Sequence, residues 1–328
     1  MSERILAVVA TYNRKALLRE CLDALLKQSR PVDRVIVVDN ACDDGTAEML
    51  DKDYPSVEVV HLETNAGSSG GVHAGMRRAV ELGCDWVWIM DDDAEPAPDA
   101  LQALCGQTDA TDLAALACLK VDPNGNTLYE HRGTFTPQSL PRRIIQPISE
   151  SMIVGGEPIE IDHCSFVGLM VHKAAIDATG YPDARLFLQF DDAEYCIRLR
   201  MAGRMMLVPA SRIVHKEQDL SGVRHRRLLS LPYESIPYEH FWKRYFTYRN
   251  FVWLSRRYGT RRVRVHTDLV ALYVFLVCCI LLFDTRRFRR IWFLTHAFLD
   301  GLRGRFDNTK ARRLLGLDHI DPASVERA

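Results

Sequence analysis

The chain has 328 residues, of which 47% are hydrophobic and 26% are charged. This profile is globular, with enough apolar material for about two domains. We expect no signal peptide, because residues 1–4 lead directly into an apolar run at 5–10. The nine cysteines form no C-x-x-C pair, which argues against a zinc site or a disulfide framework and indicates a reducing, cytosolic compartment.

The net charge of −1 conceals an uneven distribution. From Ser221 onward the chain has 21 Lys and Arg against 9 Asp and Glu, whereas the first 220 residues have 21 against 34. A basic C-terminal part on an acidic body suggests an anionic partner. We expect that partner to be an anionic membrane surface and not nucleic acid.

Strand and helix patterns alternate over the first hundred residues. "ILAVVA", "VIVV", "VEVV" and "WVWIM" are apolar runs typical of buried strands. Between them, "TYNRKALLRECLDALLKQ" has helical spacing, "GTAEMLDKDYP" is a short helix closed by a proline, and "NAGSSGGVHAGMRRAVELG" is a glycine-rich loop followed by a helix. The alternation predicts an α/β, Rossmann-like half: a mostly parallel sheet with helices on both faces.

Each of these four strands is followed by polar residues. The strand ends are Thr11–Asn13, Asp39–Asn40, Asn65–Gly67 and Asp91–Asp93. Ligands of such sheets bind beyond the carboxyl ends of the strands. We therefore expect these residues to meet at one edge of the sheet and to form a binding site.

The rest of the acidic body is less regular. Residues 107–160 predict strands and loops, and "IDHCSFVGLMVHKAAIDATG" predicts a strand and then a helix closed by Gly180. "FDDAEYCIRLRMAG" predicts a second clear helix, ended by Gly203. We expect its apolar face to contain Tyr195, Ile197, Leu199 and Met201.

The triple aspartate after the fourth strand is costly unless something neutralises it. In an extended segment residues i and i+2 point the same way, so Asp91 and Asp93 can face one ion while Asp92 points elsewhere. Magnesium and manganese both suit carboxylate ligands. The alternative is a solvated acidic loop whose aspartates cap a helix near Pro98.

A second acidic cluster stands at the start of the helix at 191–203. Acids in a first helical turn are favoured by the helix dipole, which accounts for Glu194. Asp191 and Asp192 are adjacent, and a carboxylate there could remove a proton from an attacking hydroxyl. His215 follows a strand pattern, and both a structural role and metal coordination stay open for it.

These motifs together resemble the inverting family 2 glycosyltransferases of the GT-A fold. The matching segments are "VVATYNR", "VIVVDNACDDGT", "NAGSSGGVHAGM", "WIMDDDAEP", "FDDAEYCIRLRMAG" and "IVHK". "GSSGG" and "FDDAEY" look most like bacterial galactofuranosyltransferases and their rhamnosyltransferase relatives. "YFTYRNFVWLSRRYG" is similar to the segment that follows the catalytic domain in those enzymes.

The resemblance implies a role for each matched position. Asp91 and Asp93 would hold Mn²⁺ or Mg²⁺ with His215 as the third ligand. Asp192 would be the general base, and Asp191 would orient it or contact the acceptor. The remaining implied positions would contact the nucleotide sugar: Thr11, Tyr12, Asn13, Arg14, Asp39, Asn65, Gly70, Gly71 and Asp92.

The implied function is transfer of a hexosyl group from a nucleotide-diphosphate sugar to a hydroxyl of a cell-surface glycan or glycolipid. UDP-galactofuranose and dTDP-rhamnose are the favoured donors, with UDP-galactose and UDP-glucose left open. A sugar nucleotidyltransferase is one alternative, but it would usually carry a glycine-rich basic loop after the first strand, where this chain has "TYNRK". A non-catalytic glycan- or lipid-binding scaffold is another, but it would need neither a metal cluster nor a base.

We expect residues 1–220 to form the catalytic domain, with a donor half at about 1–106 and an acceptor half at about 107–220, and 221–328 to form a basic helical region. In that region Leu269–Phe283 is an uninterrupted run of 15 apolar residues, short of the roughly 20 that span a bilayer. With arginines on both sides, it predicts a helical hairpin at an anionic membrane surface. A buried core helix or a dimerisation helix are the alternatives. The expected location is cytoplasmic, at the inner face of the membrane.

Overall fold

The computed structural model describes residues 3–136, 140–141, 145–216 and 222–316. The chain forms two compact units. The first contains Met1–Phe135, Ile145–Phe187 and Asp191–Glu217, and the second contains Thr136–Ile144, Leu188–Phe190 and Gln218–Ala328. The predicted domain boundary at residue 220 lies outside the described residues.

The first half of the first unit alternates strands and helices. Its elements are β1 (Ile5–Thr11), α1 (Lys15–Leu26), β2 (Arg34–Asp39), α2 (Thr46–Asp53), β3 (Glu58–His61), α3 (Gly67–Glu81) and β4 (Trp86–Asp91). β1 pairs in parallel with both β2 and β4, and β2 pairs in parallel with β3. This is the predicted Rossmann-like half.

The second half extends the same sheet. Its elements are β5 (Ala94–Pro96), α4 (Ala100–Cys105), β6 (Leu113–Val121), β7 (Arg132–Thr134), β8 (Gln146–Pro147), α5 (Glu150–Ile153), β9 (Ile159–Ile161), β10 (His163–Cys164), β11 (Leu169–His172), α6 (Lys173–Thr179), α7 (Asp191–Ala202) and β12 (Arg204–His215). The strand order is β3-β2-β1-β4-β11-β6-β12-β5, with β9 also on β12, and β10, β7 and β8 form a small separate sheet. β11 is antiparallel to both of its neighbours.

The main sheet is buried on both faces. Trp86, Trp88 and Met90 of β4 pack in one core with α1, while Val87 and Ile89 pack in a second core with α3 and α7. A strand that is covered on both faces consists of consecutive apolar residues, as in "WVWIM". The helix α7 does not bury the whole face expected for it. Tyr195, Ile197 and Leu199 are buried, whereas Met201, in the last turn of the helix, is 81% exposed.

The glycine-rich segment "GSSGG" is helical. It forms the first turn of α3, which begins at Gly67, and this corrects the expected loop. Gly71 lies against β1 and Asn40, where a Cβ would be 2.8 Å from the Cβ of Ala10. A Cβ on Gly75 would clash with Val8. The missing side chains therefore let α3 pack closely on the sheet.

The second unit is mainly helical. It contains the hairpin β13 (Arg224–Leu228) and β14 (Leu231–Ser235), followed by α8 (Lys243–Tyr258), α9 (Arg262–Phe283), α10 (Arg287–Arg303) and α11 (Lys310–Leu315). The expected helical hairpin corresponds to α9 and α10. α9 has 22 residues, an 18-residue stretch within it has a mean hydropathy of 2.3, and by length and composition alone the helix is long enough to cross a membrane. The predicted run of 15 apolar residues, Leu269–Phe283, is the C-terminal part of this longer helix, which starts seven residues before Leu269.

Candidate active site

Parallel strand pairing brings the predicted polar ends to one edge of the sheet. Thr11 lies opposite Asp39 in the β1–β2 register, and Ala10 lies opposite Asp91 in the β1–β4 register. Thr11 and Asp39 are almost fully buried, although both are polar. Buried polar groups need partners, so this edge is a built arrangement of side chains and not a solvated loop.

Asp91, Asp93 and His215 form a group of three potential metal ligands. One ligand atom from each lies within 4.8 Å of the others. His215 Nε2 is 3.1 Å from Asp93 Oδ1 and 3.9 Å from Asp91 Oδ2. The pairing of β12 with β5 places His215 opposite Ala94, the residue that follows Asp93. Two carboxylates and an imidazole match the ligand preferences of Mn²⁺, and carboxylates those of Mg²⁺, so the residues fit a divalent ion.

Asp92 points away from this group, as the i and i+2 argument predicts. Thr11 Oγ1 donates a hydrogen bond to Asp92 Oδ2 at 2.7 Å. The Arg14 guanidinium reaches both neighbouring aspartates, at 3.3 Å from Asp92 Oδ1 and 3.1 Å from Asp93 Oδ2. Asp93 therefore has one oxygen near Arg14 and the other near His215, which fixes the orientation of its carboxylate.

The three aspartates differ in the direction of their pKa shifts. Burial raises the pKa of Asp92 to about 7, against the opposing charge of Arg14. Burial and the charge of Asp93 raise the pKa of Asp91. Burial acts on Asp93 too, but the hydrogen bond and charge of His215, together with Arg14, hold the pKa of Asp93 below its usual value. Asp93 is thus the aspartate best prepared to bind a cation.

The residues expected to line the nucleotide pocket form a hydrogen-bonded rim. Asp39 Oδ1 accepts from the Cys42 N–H at 2.8 Å, and Asp39 Oδ2 lies 3.0 Å from His61 Nδ1. Asn13, at a φ of 54°, accepts from the Asp43 N–H. Sequence reasoning missed His61, although it ends β3 at the same edge as Asp39 in the β2–β3 register.

Two more predicted contacts with the donor have local structural partners. Asn65 Oδ1 accepts a hydrogen bond from the Gly67 N–H at 2.8 Å, at the start of α3. Gly70 lies within the first turn of that helix, where a Cβ would be 2.5 Å from the Cβ of Ala66. The structure contains Tyr12 in the turn after β1, between Thr11 and Asn13. The roles of these residues toward a donor stay predictions.

The paired aspartates are the first two residues of α7. Asp191 is 5% exposed, whereas Asp192 is partly exposed and its Oδ1 accepts the Ala193 N–H at 2.6 Å. Burial raises the pKa of both carboxyl groups, and the charges of Asp192 and Asp91 raise the pKa of Asp191 further. For Asp192 the Ala193 N–H and nearby cationic side chains oppose the rise. The pKa of Asp191 is therefore raised further than the pKa of Asp192.

The segment that leads into the pair has an unusual backbone. Phe187, Gln189 and Phe190 have φ values of 66°, 67° and 61°. Each such conformation costs a non-glycine residue about 1–3 kcal/mol and persists only where the surrounding structure imposes it. The Ser69 N–H donates to the Phe187 carbonyl at 3.2 Å, and a Cβ on Gly67 would clash with that carbonyl. Residues of "GSSGG" thus support this segment.

Glu194 has a structural partner. Its carboxylate accepts hydrogen bonds from Arg198 Nε at 3.0 Å and Nη2 at 2.7 Å. Arg198 also donates to the carbonyl oxygens of Thr179 and Tyr181. Glu194 lies in the first turn of α7, as expected, and it also pairs with Arg198, which reaches the end of α6.

Comparison with known proteins identifies the family. The model of the family described as "Glycosyl transferase family 2" matches residues 6–178. Galactofuranosyltransferase GlfT1 of Mycolicibacterium smegmatis is 30% identical over 274 residues, which cover 80% of this chain and 86% of that protein. The dTDP-rhamnosyl transferase RfbF of Shigella flexneri is 24% identical, over 93% of this chain and 97% of that protein.

Among solved structures, the mannosyltransferase PcManGT of Pyrobaculum calidifontis, in complex with GDP-Man and Mn²⁺, has a TM-score of 0.52. It is 17% identical, and the match covers 99% of this chain and 83% of that one. This likeness supports the GT-A fold. The family match is at odds with the nucleotidyltransferase and scaffold alternatives. The chain therefore belongs to glycosyltransferase family 2, has the GT-A fold, and is a glycosyltransferase.

Proposed function

We propose that this glycosyltransferase is metal-dependent and inverting, and that it transfers a galactofuranosyl or rhamnosyl group from a nucleotide-diphosphate sugar to a glycan or glycolipid hydroxyl. The observation that carries the proposal is the convergence of Asp91, Asp93 and His215, together with a separate carboxyl pair at the start of α7. A galactofuranosyl donor is favoured because the relative named for that sugar is more similar than the one named for rhamnose.

Asp91, Asp93 and His215 would hold Mn²⁺ or Mg²⁺. A bound divalent ion would neutralise the negative charge that develops on the departing nucleoside diphosphate. Arg14 contributes positive charge beside the same aspartates and orients the carboxylate of Asp93. Thr11, by its hydrogen bond to Asp92, keeps that side chain turned away from the ligand group.

Asp192 would act as the general base. Its carboxylate accepts the proton of the acceptor hydroxyl while the acceptor oxygen forms a bond to the anomeric carbon and the bond to the diphosphate oxygen breaks. A single displacement of this kind inverts the anomeric centre. This displacement needs no covalent sugar–enzyme intermediate. Burial raises the pKa of the Cys21 and Cys42 thiols near this edge of the sheet, which keeps them protonated and therefore poor nucleophiles.

The test is a donor panel that includes UDP-galactofuranose, dTDP-rhamnose, UDP-galactose and UDP-glucose, assayed for nucleoside diphosphate release with and without EDTA. We expect release from one of the first two donors, lost with EDTA and restored by Mn²⁺, and a product of inverted configuration by NMR. Asp192→Asn should lower kcat by about 10²–10⁴-fold. Asp177→Asn, a change at an exposed aspartate of α6, is the matched control. Metal-independent turnover or pyrophosphate release would refute the proposal.

We also propose that the second unit binds the inner face of an anionic membrane, where a lipid-linked acceptor would be presented. One face of α9 exposes Val263, Val270 and Val274, at 80%, 63% and 53%. On α10, Phe288 and Trp292 are 84% and 60% exposed. Exposed apolar side chains flanked by arginines are typical of interfacial helices.

Sedimentation with phosphatidylglycerol vesicles tests membrane binding. We expect Val270→Glu combined with Val274→Glu to lower the bound fraction at least severalfold, while Met201→Glu, a change at an exposed methionine of the first unit, leaves it unchanged. Equal binding to pure phosphatidylcholine vesicles, or no effect of the α9 changes, would contradict this location.

A further inference from the structure

We infer that Asn250, in the second unit, is a positioning residue that holds the segment Leu188–Phe190 and thereby fixes where α7 presents its two aspartates. This inference rests on the proposed role of Asp192 as the base. Asn250 lies in the "YFTYRNFVWLSRRYG" segment of α8, to which the proposed chemistry assigns no task.

Asn250 makes a two-point contact with this segment. It is fully buried. Its Nδ2 donates hydrogen bonds to the carbonyl oxygens of Leu188 and Gln189, at 2.9 and 2.8 Å. One amide group thereby satisfies two consecutive peptide carbonyls, which is possible only if the backbone turns sharply between them. The second unit includes Leu188–Phe190, and the next residue along the chain is Asp191.

The amide of Asn250 is itself held in place. Its Oδ1 accepts a hydrogen bond from Arg249 Nε at 2.9 Å. Arg249 is fully buried, lies over the rings of Phe246 and Phe306, and donates to Asn308 Oδ1 at 2.8 Å. The hydrogen bond from Arg249 Nε determines which end of the Asn250 amide faces Leu188 and Gln189, so the donor end is the one presented.

The segment Leu188–Phe190, which Asn250 contacts, has a strained backbone. Gln189 and Phe190 both have φ values above 60°, a region that side-chain-bearing residues occupy only when their surroundings impose it. The Phe190 ring also packs against Phe251, the residue after Asn250, with ring centroids 5.7 Å apart. Without these contacts we expect the segment to relax toward negative φ, which would displace the first turn of α7 and the Asp192 carboxylate.

Asn250→Asp is the most specific test. Aspartate keeps the shape of the side chain and an acceptor for Arg249 Nε, but it removes the two N–H donors and places a carboxylate oxygen against two carbonyl oxygens. Displacements of about 1 Å cost up to roughly 10²-fold in rate. We expect kcat for nucleoside diphosphate release to fall about 10–100-fold, with the affinity for UDP and Mn²⁺ within twofold of wild type, because the proposed metal ligands lie on β4, in the turn after it and on β12.

Two further variants complete the series. Asn308→Ala removes a hydrogen bond to the same Arg249 and should leave kcat within about twofold. Asn250→Ser is smaller, keeps one donor and should give an intermediate kcat, and it replaces Asn250→Asp if that variant does not fold. An unchanged kcat in the folded Asn250 variant, or a loss of UDP affinity equal to the loss of kcat, would overturn the inference.

Hydrogen–deuterium exchange separates this inference from the proposed function, because it needs no donor. Peptides that cover residues 184–196 should exchange faster in Asn250→Asp than in wild type or Asn308→Ala. Faster exchange together with no donor turnover by the wild-type protein would refute the proposed function and leave the segment contact supported. Unchanged exchange would refute the contact whatever the activity.

Discussion

Asp92 should make the metal-free protein less stable as the pH rises. The side chain is 4% exposed, and burial raises its pKa from 3.8 to about 7. The folded state therefore holds a proton that the unfolded state has already released at pH 5. Stability from this group is fully present below pH 3.8 and is lost as the pH rises through about 7. One pKa unit corresponds to about 1.4 kcal/mol, so the loss between pH 5 and pH 8 is about 2.5 kcal/mol.

The measurement is urea denaturation in EDTA at pH 5 and pH 8, for wild type and Asp92→Asn. Asparagine cannot ionise, and any packing cost of the change is the same at both pH values. The pH-dependent difference between the two proteins therefore isolates the Asp92 carboxyl group. We expect wild type to lose about 2.5 kcal/mol more than the variant. If both proteins change in parallel, within about 0.5 kcal/mol, the carboxyl group is not held protonated by burial and the reasoning fails.

Three other changes test the remaining parts of the site and of the fold. His215→Ala should weaken Mn²⁺ binding at least roughly tenfold, because even the loss of a residue that only hydrogen-bonds to a metal ligand lowers metal affinity that much. Calorimetry measures this affinity, and an unchanged value would show that His215 is not a ligand. Because the pKa of Asp192 is raised, kcat/KM should fall as the pH decreases through that pKa, and a profile that falls only on the alkaline side would exclude this base. Glu194→Ala leaves Arg198, 18% exposed, without its carboxylate and should cost about 3 kcal/mol in urea denaturation. Asp177→Ala, at an exposed pair, should cost at most about 1 kcal/mol, and equal costs would contradict a buried role for Glu194.

Two features near the site could not be predicted from the local pattern of residues in the sequence. "GSSGG" was expected to be a loop because glycine disfavours helices, yet it begins α3, since close packing against β1 and against the Phe187 carbonyl needs residues without side chains. The same limit applies to Asn250. Its two hydrogen bonds join residues that are 61 and 62 positions apart in the chain. The periodic pattern of apolar residues within a helix or strand cannot predict a contact over that distance.

The alternation of strands and helices, the polar strand ends and the two acidic clusters could be predicted from the sequence alone. A strand buried on both faces needs consecutive apolar residues, and the polar residues at its end follow it directly in the chain, so both features are visible in the local sequence. Its resemblance to a family also indicated the metal ligands. Only the tertiary structure decided that His215 meets Asp93 at 3.1 Å, that Asp92 turns to Thr11 and Arg14, and that a buried asparagine of the second unit holds the segment before Asp191. Those contacts depend on strand pairing and on packing between residues far apart in the chain, and their geometry exists only once the whole fold has formed.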